Sequence, residues 1–212
     1  MDFLIIDMET DILRPDIVKV CKPILDKFIE DWKMGNIRIA KEATEWPSYT
    51  PSNDAARKYT SEDGLNEYLR QNKEPGVCEY ANAHELAVGF RTPKPGADSK
   101  FERSIVKQLV PLFPRYAIKM SGRFAYFGPS AYMSWHTNSD TPGHRLYITY
   151  AEEENKSFFR YRDLVTEEII TSYDAKGWIA RMFPVTKENP YWHCVYSDTY
   201  RISLGFKLWD LR

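Results

Sequence analysis

Hydrophobic periodicity in the first part of the chain predicts one well-defined helix. From Pro15 to Met34 the apolar residues recur at steps of three and four, which is the spacing of one face of an amphipathic helix. Pro23 falls in the first half of this segment, where a proline kinks a helix. The apolar positions are Ile17, Val18, Val20, Cys21, Ile24, Leu25, Phe28, Ile29 and Trp32.

Two shorter helices are expected before the chain changes its pattern. The segment that begins at Thr60 supplies an N-cap and early acidic residues for a helix through about Gln71. A further helix is expected from about Ser99 to Phe113. The stretch from Glu42 to Lys58 contains two prolines and several small polar residues without any period, so it is predicted to be a long loop.

Beyond Tyr116 the helical period gives way to short aromatic and β-branched runs separated by turn residues. Eight such runs at this spacing predict a β-sandwich or a small barrel. The runs are residues 117–127, 131–137, 145–151, 156–162, 167–173, 177–185, 191–197 and 200–209.

The chain has no clear linker or repeat, and 43% of its 212 residues are hydrophobic, which is enough for one sizeable core. We therefore expect a single domain over residues 1–212. Residues 1–116 would provide mainly helical support and lid segments, and residues 117–212 would form the β core with the helices packed outside it.

Charge and cysteine content exclude several classes of protein. The 29 Lys and Arg residues nearly balance 30 Asp and Glu, so no global field attracts the chain to nucleic acid or to an anionic membrane. The three cysteines are widely spaced without a CxxC pair, which argues against a disulfide framework. No apolar run approaches a bilayer span. We expect a soluble cytoplasmic protein without a membrane partner.

Two histidines stand at the ends of predicted strands and are candidates for a metal site. His136 follows the run AYMSW and His193 lies in PYWHCVYS. A barrel can bring such distant positions together. Two histidines and one carboxylate form the facial triad of non-haem Fe(II) oxygenases, because three protein ligands on one face leave the other face for cosubstrate and O₂.

Two segments resemble the Fe(II)/2-oxoglutarate-dependent oxygenases of the prolyl-hydroxylase-like group. The segment GPSAYMSWHTNSDTPGHRLYITY is similar to their first metal-binding region, and HCVYSDTYRISLGF is similar to their distal histidine followed by an Arg-x-Ser strand. The resemblance covers the C-terminal part of the chain. It implies an α+β fold whose core is a double-stranded β-helix, a jelly-roll or cupin-like barrel.

The same resemblance implies the cofactors and the residues that hold them. Fe(II) would bind His136 and His193, with 2-oxoglutarate as cosubstrate and O₂ as oxidant. Arg201 and Ser203 match the pair that holds the distal carboxylate of 2-oxoglutarate. His193 is expected to end one strand and Arg201 to begin its hairpin partner, so that both face the barrel interior. Tyr147 and Tyr150 are candidates for a further hydroxyl contact, on opposite faces of one strand.

The third metal ligand is where the chain departs from this family. Asn138 stands where the family usually has Asp or Glu, and a neutral amide oxygen is a weaker ligand for Fe(II). Asp140 could supply the oxygen instead, Asn138 could bind weakly, or two histidines could suffice.

Other functions and structural explanations remain open at this stage. The predicted enzyme is a dioxygenase that hydroxylates a C–H bond of a small molecule or a peptide. The alternatives are an inactive cupin-like module for small anions and a nucleic-acid demethylase of the same superfamily, which the neutral charge disfavours. Arg201 could instead form an internal salt bridge with Asp198 or Asp174. Residues 151–163, together with the loop from Glu42 to Lys58, are expected to wall or cover the substrate.

The remaining histidines and most aromatic side chains have simpler explanations. His144 is expected to be a solvated turn residue and His84 a surface or capping residue. The aromatic side chains are expected to serve mostly in packing, although some could line a pocket. They are Phe158, Phe159, Tyr161, Trp178, Phe183, Tyr191 and Trp192.

Overall fold

The computed structural model describes residues 12–35, 53–71, 99–127, 129, 131–137, 142–186 and 190–211. Within these ranges four helices precede the β region: α1 is Pro15–Lys33, α2 is Asn53–Thr60, α3 is Glu62–Gln71 and α4 is Ser99–Leu109. A short 3-10 turn, Val110–Leu112, follows α4. No helix within these described ranges has the length and hydropathy needed to cross a bilayer.

In the part of the chain that the structure describes, eight strands follow, and each agrees with one of the predicted runs. They are β1 Tyr116–Phe127, β2 Ala131–His136, β3 Gly143–Ala151, β4 Ser157–Arg162, β5 Ile169–Tyr173, β6 Gly177–Val185, β7 His193–Ser197 and β8 Arg201–Asp210.

The strands form two four-stranded antiparallel sheets. The major sheet has the order β1-β8-β3-β6 and the minor sheet the order β2-β7-β4-β5. Apart from the β4–β5 hairpin, every connection carries the chain from one sheet to the other, which is the topology of an eight-stranded jelly roll. The β region is therefore a double-stranded β-helix, and the whole chain has an α+β fold.

The outer face of the major sheet is covered by α1 and α4. Alternate residues of β3 and β8 join the apolar face of α1 in one core, so the opposite residues of these strands must point between the two sheets. Residues of this outer core include Ile17, Cys21, Leu25, Phe28, Ile105, Leu109, Leu146, Ile148, Leu204 and Phe206.

The minor sheet has its own helical cover. Leu65 of α3 packs with Trp135, Trp192 and Cys194 on the outer face of this sheet. The indole Nε1 of Trp135 donates to the carbonyl of Ser61 over 2.7 Å, which ties the start of α3 to β2. Helices thus lie outside both sheets, as the sequence predicted.

The space between the sheets holds a separate set of side chains, here called the inner cluster. It receives residues from both sheets and is rich in aromatic rings, so it forms the interior of the barrel. Its buried members are Ala131, Phe159, Tyr161, Phe183, Val185, Tyr191 and Val195.

Several expectations about local structure are wrong. The predicted loop to Lys58 contains α2 from Asn53, because a helix this short shows no recognisable period; residues 42–52 lie outside the described part. Within residues 151–163, Ser157–Arg162 is strand β4 in the interior of the minor sheet, so this part of the segment is a wall of the barrel and not a lid. His193 begins β7 instead of ending it, and β8 lies in the other sheet, so β7 and β8 are not hairpin partners.

Candidate functional site

A β-bulge turns His136 into the barrel. The pairing of β2 with β7 shifts between Met133, which pairs with Val195, and His136, which pairs with His193, so β2 has one extra residue. Ala131 and Met133 pack on the inner cluster, whereas Trp135 packs on the outer face. Without the extra residue, simple alternation would have pointed Trp135 inward and His136 outward.

His193 faces His136 from the adjacent strand. The two imidazole ring centroids are 4.1 Å apart, with 56° between the ring planes. Both side chains are buried, with 6% and 1% exposure. The structure therefore brings together the two histidines that the sequence singled out.

Backbone carbonyls fix the same tautomer in both rings. Nδ1 of His136 lies 2.7 Å from the carbonyl oxygen of Ser134, and Nδ1 of His193 lies 2.9 Å from that of Tyr191. A carbonyl oxygen only accepts, so each Nδ1 carries the proton. In the neutral rings the lone pair is then on Nε2, which is the arrangement found in metal-binding histidines.

Both histidines are held in the neutral form. Burial lowers the pKa of His136 to about 4, against the opposing effect of its hydrogen bond to Ser134. Burial and the neighbouring His136 lower the pKa of His193 well below its ordinary value, and the charge of Arg145 contributes in the same direction. Neutral imidazole is the form that binds metal ions.

Aromatic rings surround His193 inside the barrel. The ring centroids of Phe183 and Phe159 are 5.1 and 5.3 Å from that of His193, and the centroids of Tyr191 and Tyr147 are 6.0 and 6.3 Å away. This apolar wall limits the access of water to the histidine pair.

Arg201, predicted to bind a carboxylate, is paired with an internal one. Its Nε donates to Oδ2 of Asp174 over 2.8 Å, and its Nη2 lies 3.5 Å from Oγ1 of Thr149. Asp174 follows strand β5, and its Oδ2 also accepts from the hydroxyl of Ser157 over 2.5 Å. Of the two salt-bridge partners considered for Arg201, the structure selects Asp174 over Asp198.

Arg181, which the sequence reasoning missed, is the second partner of Asp174. Its Nη1 donates to Oδ1 of Asp174 over 2.6 Å. Its remaining nitrogens donate to the hydroxyl and carbonyl of Ser172 and to the carbonyl of Tyr173, at 3.0–3.1 Å. Each of the three guanidinium nitrogens of Arg181 therefore has a protein partner. The sequence did contain a signal for this role, because Arg181 stands at an inward position of a predicted strand, where a buried arginine needs a partner.

The cluster is strongly ionised. Burial alone would raise the pKa of Asp174, but the charges of Arg201 and Arg181, together with the Ser157 hydroxyl, lower it to about 2. Among the described residues, the buried cationic side chains are Arg145, Arg181 and Arg201, and Asp174 is the buried carboxylate. Positive charge thus exceeds negative charge in the buried part of the described chain.

The tyrosine candidates separate onto different faces. Tyr147 lies on the inner cluster, with its ring 5.6 Å from Phe183. Tyr150 lies on the helix-covered face, with its ring 5.3 Å from Trp178 and the ammonium of Lys33 over it. Only Tyr147 of this pair is inside the barrel. Ser203 is buried and pairs with Thr149 on the inward face of the major sheet.

The other candidate residues are only partly described. Asn138, Asp140 and His84 lie outside the described residues. No group of three or more His, Cys, Asp or Glu side chains in the described part is placed to hold a metal ion. His144 is not a solvated residue as expected: it is half-buried on the outward face of β3, with its ring edge-on to Tyr116 at 5.4 Å.

Neither a protein-family model nor a curated protein matches this chain. Solved structures with a similar course of the chain include a prolyl-4-hydroxylase from Pseudomonas putida, with 14% identity, a TM-score of 0.41 and coverage of 87% of this chain and 98% of that one. An oxidoreductase of the 2OG-Fe(II) oxygenase family from Burkholderia pseudomallei has 13% identity, a TM-score of 0.40 and coverage of 72% and 97%.

A prolyl hydroxylase from Trichoplax adhaerens, in complex with a hypoxia inducible factor oxygen degradation domain peptide, has 11% identity, a TM-score of 0.41 and coverage of 95% of each chain. With TM-scores of 0.40 to 0.41, these similarities do not establish an activity for this chain.

Proposed function

We propose that this chain is an Fe(II)- and 2-oxoglutarate-dependent oxygenase that hydroxylates a C–H bond of a small molecule or a peptide. The observation that carries the proposal is the histidine pair. His136 and His193 are buried and neutral, 4.1 Å apart between ring centroids, and each Nδ1 is tied to a backbone carbonyl. If the two histidines served only in packing, both rings would not need to carry the proton on Nδ1 and leave Nε2 free of it.

The donor set fits Fe(II). Two imidazole Nε2 atoms are suitable ligands for this ion, and hydrogen bonds from Nδ1 to carbonyls orient the rings and raise their basicity. Asn138 or Asp140 would add an oxygen ligand, as the sequence resemblance suggests. In the sequence both residues follow His136, the last residue of β2, by two and four positions.

The buried cations fit the dianionic cosubstrate. Arg181 and Arg201 share the single carboxylate of Asp174, so these three side chains together carry a net positive charge, which suits the binding of an anion. Arg201 contacts Asp174 through Nε, and its terminal nitrogens carry four of the five guanidinium donors. Ser203 and Thr149, which pair across β8 and β3, lie on the same inward face.

The distance between the two ends of the proposed site also suits this cosubstrate. Arg201 reaches Thr149, and Tyr147, which lies next to His193, is two residues further along the same face of β3. Two residues of strand span roughly 7 Å. A five-carbon dicarboxylate is therefore of suitable length to extend from Arg201 toward the histidine pair.

The role of the protein is to bind, orient and exclude water. When bound, the metal and cosubstrate would supply the oxidative chemistry, in which 2-oxoglutarate is converted to succinate and CO₂ while O₂ oxidises the substrate. His136 and His193 would hold the metal, and Arg201 with Ser203 would hold the distal carboxylate. Phe159 and Phe183 would keep water away from the histidines.

A binding module for small anions is the second candidate. Asn138 favours it, because the chain has a neutral amide where the family usually has the carboxylate that helps to hold Fe(II). In this case the buried arginines would bind an anion without any metal. The two histidines would then serve only in core packing.

Turnover of 2-oxoglutarate distinguishes the two candidates. Protein loaded with Fe(II) under anaerobic conditions and then exposed to O₂ is expected to form succinate from 2-oxoglutarate, even slowly and without a substrate. The His136→Ala variant, treated in the same way, should form none. A parent protein that binds 2-oxoglutarate but forms no succinate with iron and O₂ would favour the anion-binding module.

A further inference from the structure

Two pairs of aromatic side chains lie near the C-terminal end of α1, on the outer face of the major sheet. The rings of Trp32 and Tyr200 are 6.4 Å apart in an edge-to-face arrangement, and those of Tyr150 and Trp178 are 5.3 Å apart. Tyr200 is 45% exposed, and the other three residues are partly exposed. These four residues are here called the outer aromatic cluster.

A lysine of the chain itself joins the two ring pairs. Lys33 follows Trp32 at the end of α1, and its ammonium lies 5.9 Å from the ring centroid of Tyr150 and 3.9 Å from Oε1 of Glu152. The backbone N–H of Glu152 donates to the carbonyl of Tyr200 over 3.0 Å. The cluster thus already holds a lysine ammonium between an aromatic ring and a carboxylate.

The interactions that hold Lys33 are weak. The side chains of Lys33 and Glu152 are 51% and 40% exposed. A cation over an exposed aromatic ring contributes about 0.5–1 kcal/mol, and an exposed ion pair contributes roughly 0–1 kcal/mol. A cation from another molecule can therefore take the place of the Lys33 ammonium at small cost.

The charge around the outer aromatic cluster also favours a cation. Oε1 of Glu153 accepts from the hydroxyl of Thr199, the residue before Tyr200, over 3.1 Å. Lys33, Glu152 and Glu153 together carry a net negative charge. The cluster also lies where α1 ends, and the C-terminal end of a helix carries partial negative charge.

We propose that the outer aromatic cluster binds the ammonium group of a lysine side chain from a peptide partner, in competition with Lys33. A lysine is the fitting occupant because the ammonium of Lys33 already lies at this position, and because aromatic rings attract ammonium groups. The cluster is on the outer face of the major sheet, whereas His136 and His193 face the barrel interior, so the proposal does not depend on the proposed function.

The test is an NMR titration of the full chain with two synthetic peptides. The probe peptide carries one lysine flanked by glycine and serine, and the control peptide carries acetyl-lysine, which is neutral, at the same position. The indole N–H signals of Trp32 and Trp178, assigned by replacing each residue with phenylalanine, report binding at the cluster.

Two variants with matched controls test the named side chains. Lys33→Gln removes the internal competitor, and Lys27→Gln removes another exposed lysine of α1 with the same change in net charge. Tyr200→Leu removes a ring of the cluster, and Tyr173→Leu removes an exposed tyrosine of β5 on the minor sheet.

The proposal predicts opposite changes in affinity for the lysine peptide. Lys33→Gln should bind it about fivefold more tightly than the parent, because the site is no longer occupied by the chain's own ammonium. Tyr200→Leu should bind it roughly threefold more weakly, because one ring is lost. Lys27→Gln and Tyr173→Leu should match the parent, and the acetyl-lysine peptide should move neither indole signal.

Equal affinity of Lys33→Gln and Lys27→Gln for the lysine peptide would overturn the proposal, because only the overall charge would then matter. Equal binding of the acetyl-lysine peptide, or equal losses in Tyr200→Leu and Tyr173→Leu, would do the same. So would indole signals of Trp32 and Trp178 that do not move in Lys33→Gln. The titration uses neither metal nor 2-oxoglutarate, so these results leave the proposed function untouched.

Discussion

Arg201 donates from Nε to Oδ2 of Asp174 over 2.8 Å. Oδ1 of the same carboxylate accepts from Arg181. One carboxylate is thus shared by two arginines in a buried environment, where an uncompensated charge is costly. The arrangement holds Arg201 in place and leaves the cluster one positive charge in excess, which suits the binding of an anion.

The two arginines of this cluster should respond differently to substitution. Arg201→Met should weaken 2-oxoglutarate binding by roughly 100-fold, because it removes a bidentate, charge-assisted contact. Arg181→Met should instead destabilise the fold by about 3–5 kcal/mol, because several buried acceptors lose their donor. Calorimetry with Mn(II)-loaded protein and urea unfolding measure the two effects. A loss of stability equal in both variants, with 2-oxoglutarate binding intact in Arg201→Met, would make Arg201 purely structural.

The histidine pair should account for metal binding. His136→Ala and His193→Ala should each lose Fe(II) affinity by at least tenfold, because each removes one of the two imidazole ligands. His144→Ala is the matched control, since His144 lies on the outward face of β3, and it should bind the metal as the parent does. Anaerobic Fe(II) titration measures the affinity, and circular dichroism verifies the fold. Unchanged metal content in a folded variant that lacks both histidines would refute the assignment.

The third ligand can be identified by comparing two neighbouring positions. We expect either Asn138→Ala or Asp140→Ala to weaken Fe(II) binding by more than tenfold, and the other to have little effect. If Asn138 is the ligand, Asn138→Asp should tighten binding, because a carboxylate is a stronger ligand than an amide for this ion. Metal titration of the three variants decides the question. Parent-like affinity in both alanine variants would leave the two histidines as the protein's metal ligands.

The metal-free protein should lose stability in mild acid because its histidines are buried in the neutral form. Below pH 6.5 the unfolded chain binds protons on His136 and His193, whereas the folded chain does not until about pH 4 for His136. The free energy of unfolding should therefore fall between pH 6.5 and 4, by about 1.4 kcal/mol per pH unit for each histidine.

His136→Gln isolates this effect from the titration of other groups. The slope of unfolding free energy against pH, measured by urea unfolding after treatment with a chelator, should be shallower in the variant by the contribution of one histidine. Parallel slopes in parent and variant would show that His136 is protonated equally in the folded and unfolded states.

The strands were predictable because each is a short aromatic and β-branched run bounded by turn residues. All eight begin and end within one or two residues of the predicted runs. The inward orientation of His136 could not be derived from strand alternation, because it depends on a bulge near Ser134 that reverses the alternation. The helix α2 was missed because eight residues are too few to show a helical period.

Long-range pairing explains the remaining differences. The segment from His193 to Arg201 suggested a hairpin, yet the two strands lie in different sheets, which local sequence cannot reveal. Asp174 was one of two possible partners of Arg201, and the role of Arg181 depends on contacts to the β5 end that only the fold creates.

The most direct test of the proposed function is whether 2-oxoglutarate binding depends on the metal. Calorimetric titration of 2-oxoglutarate into the protein, with and without Mn(II), is predicted to show one cosubstrate bound per chain, with much higher affinity when Mn(II) is present. The variant that combines His136→Ala and His193→Ala should lose this dependence. Equal affinity with and without the metal, or no binding in either case, would contradict the account.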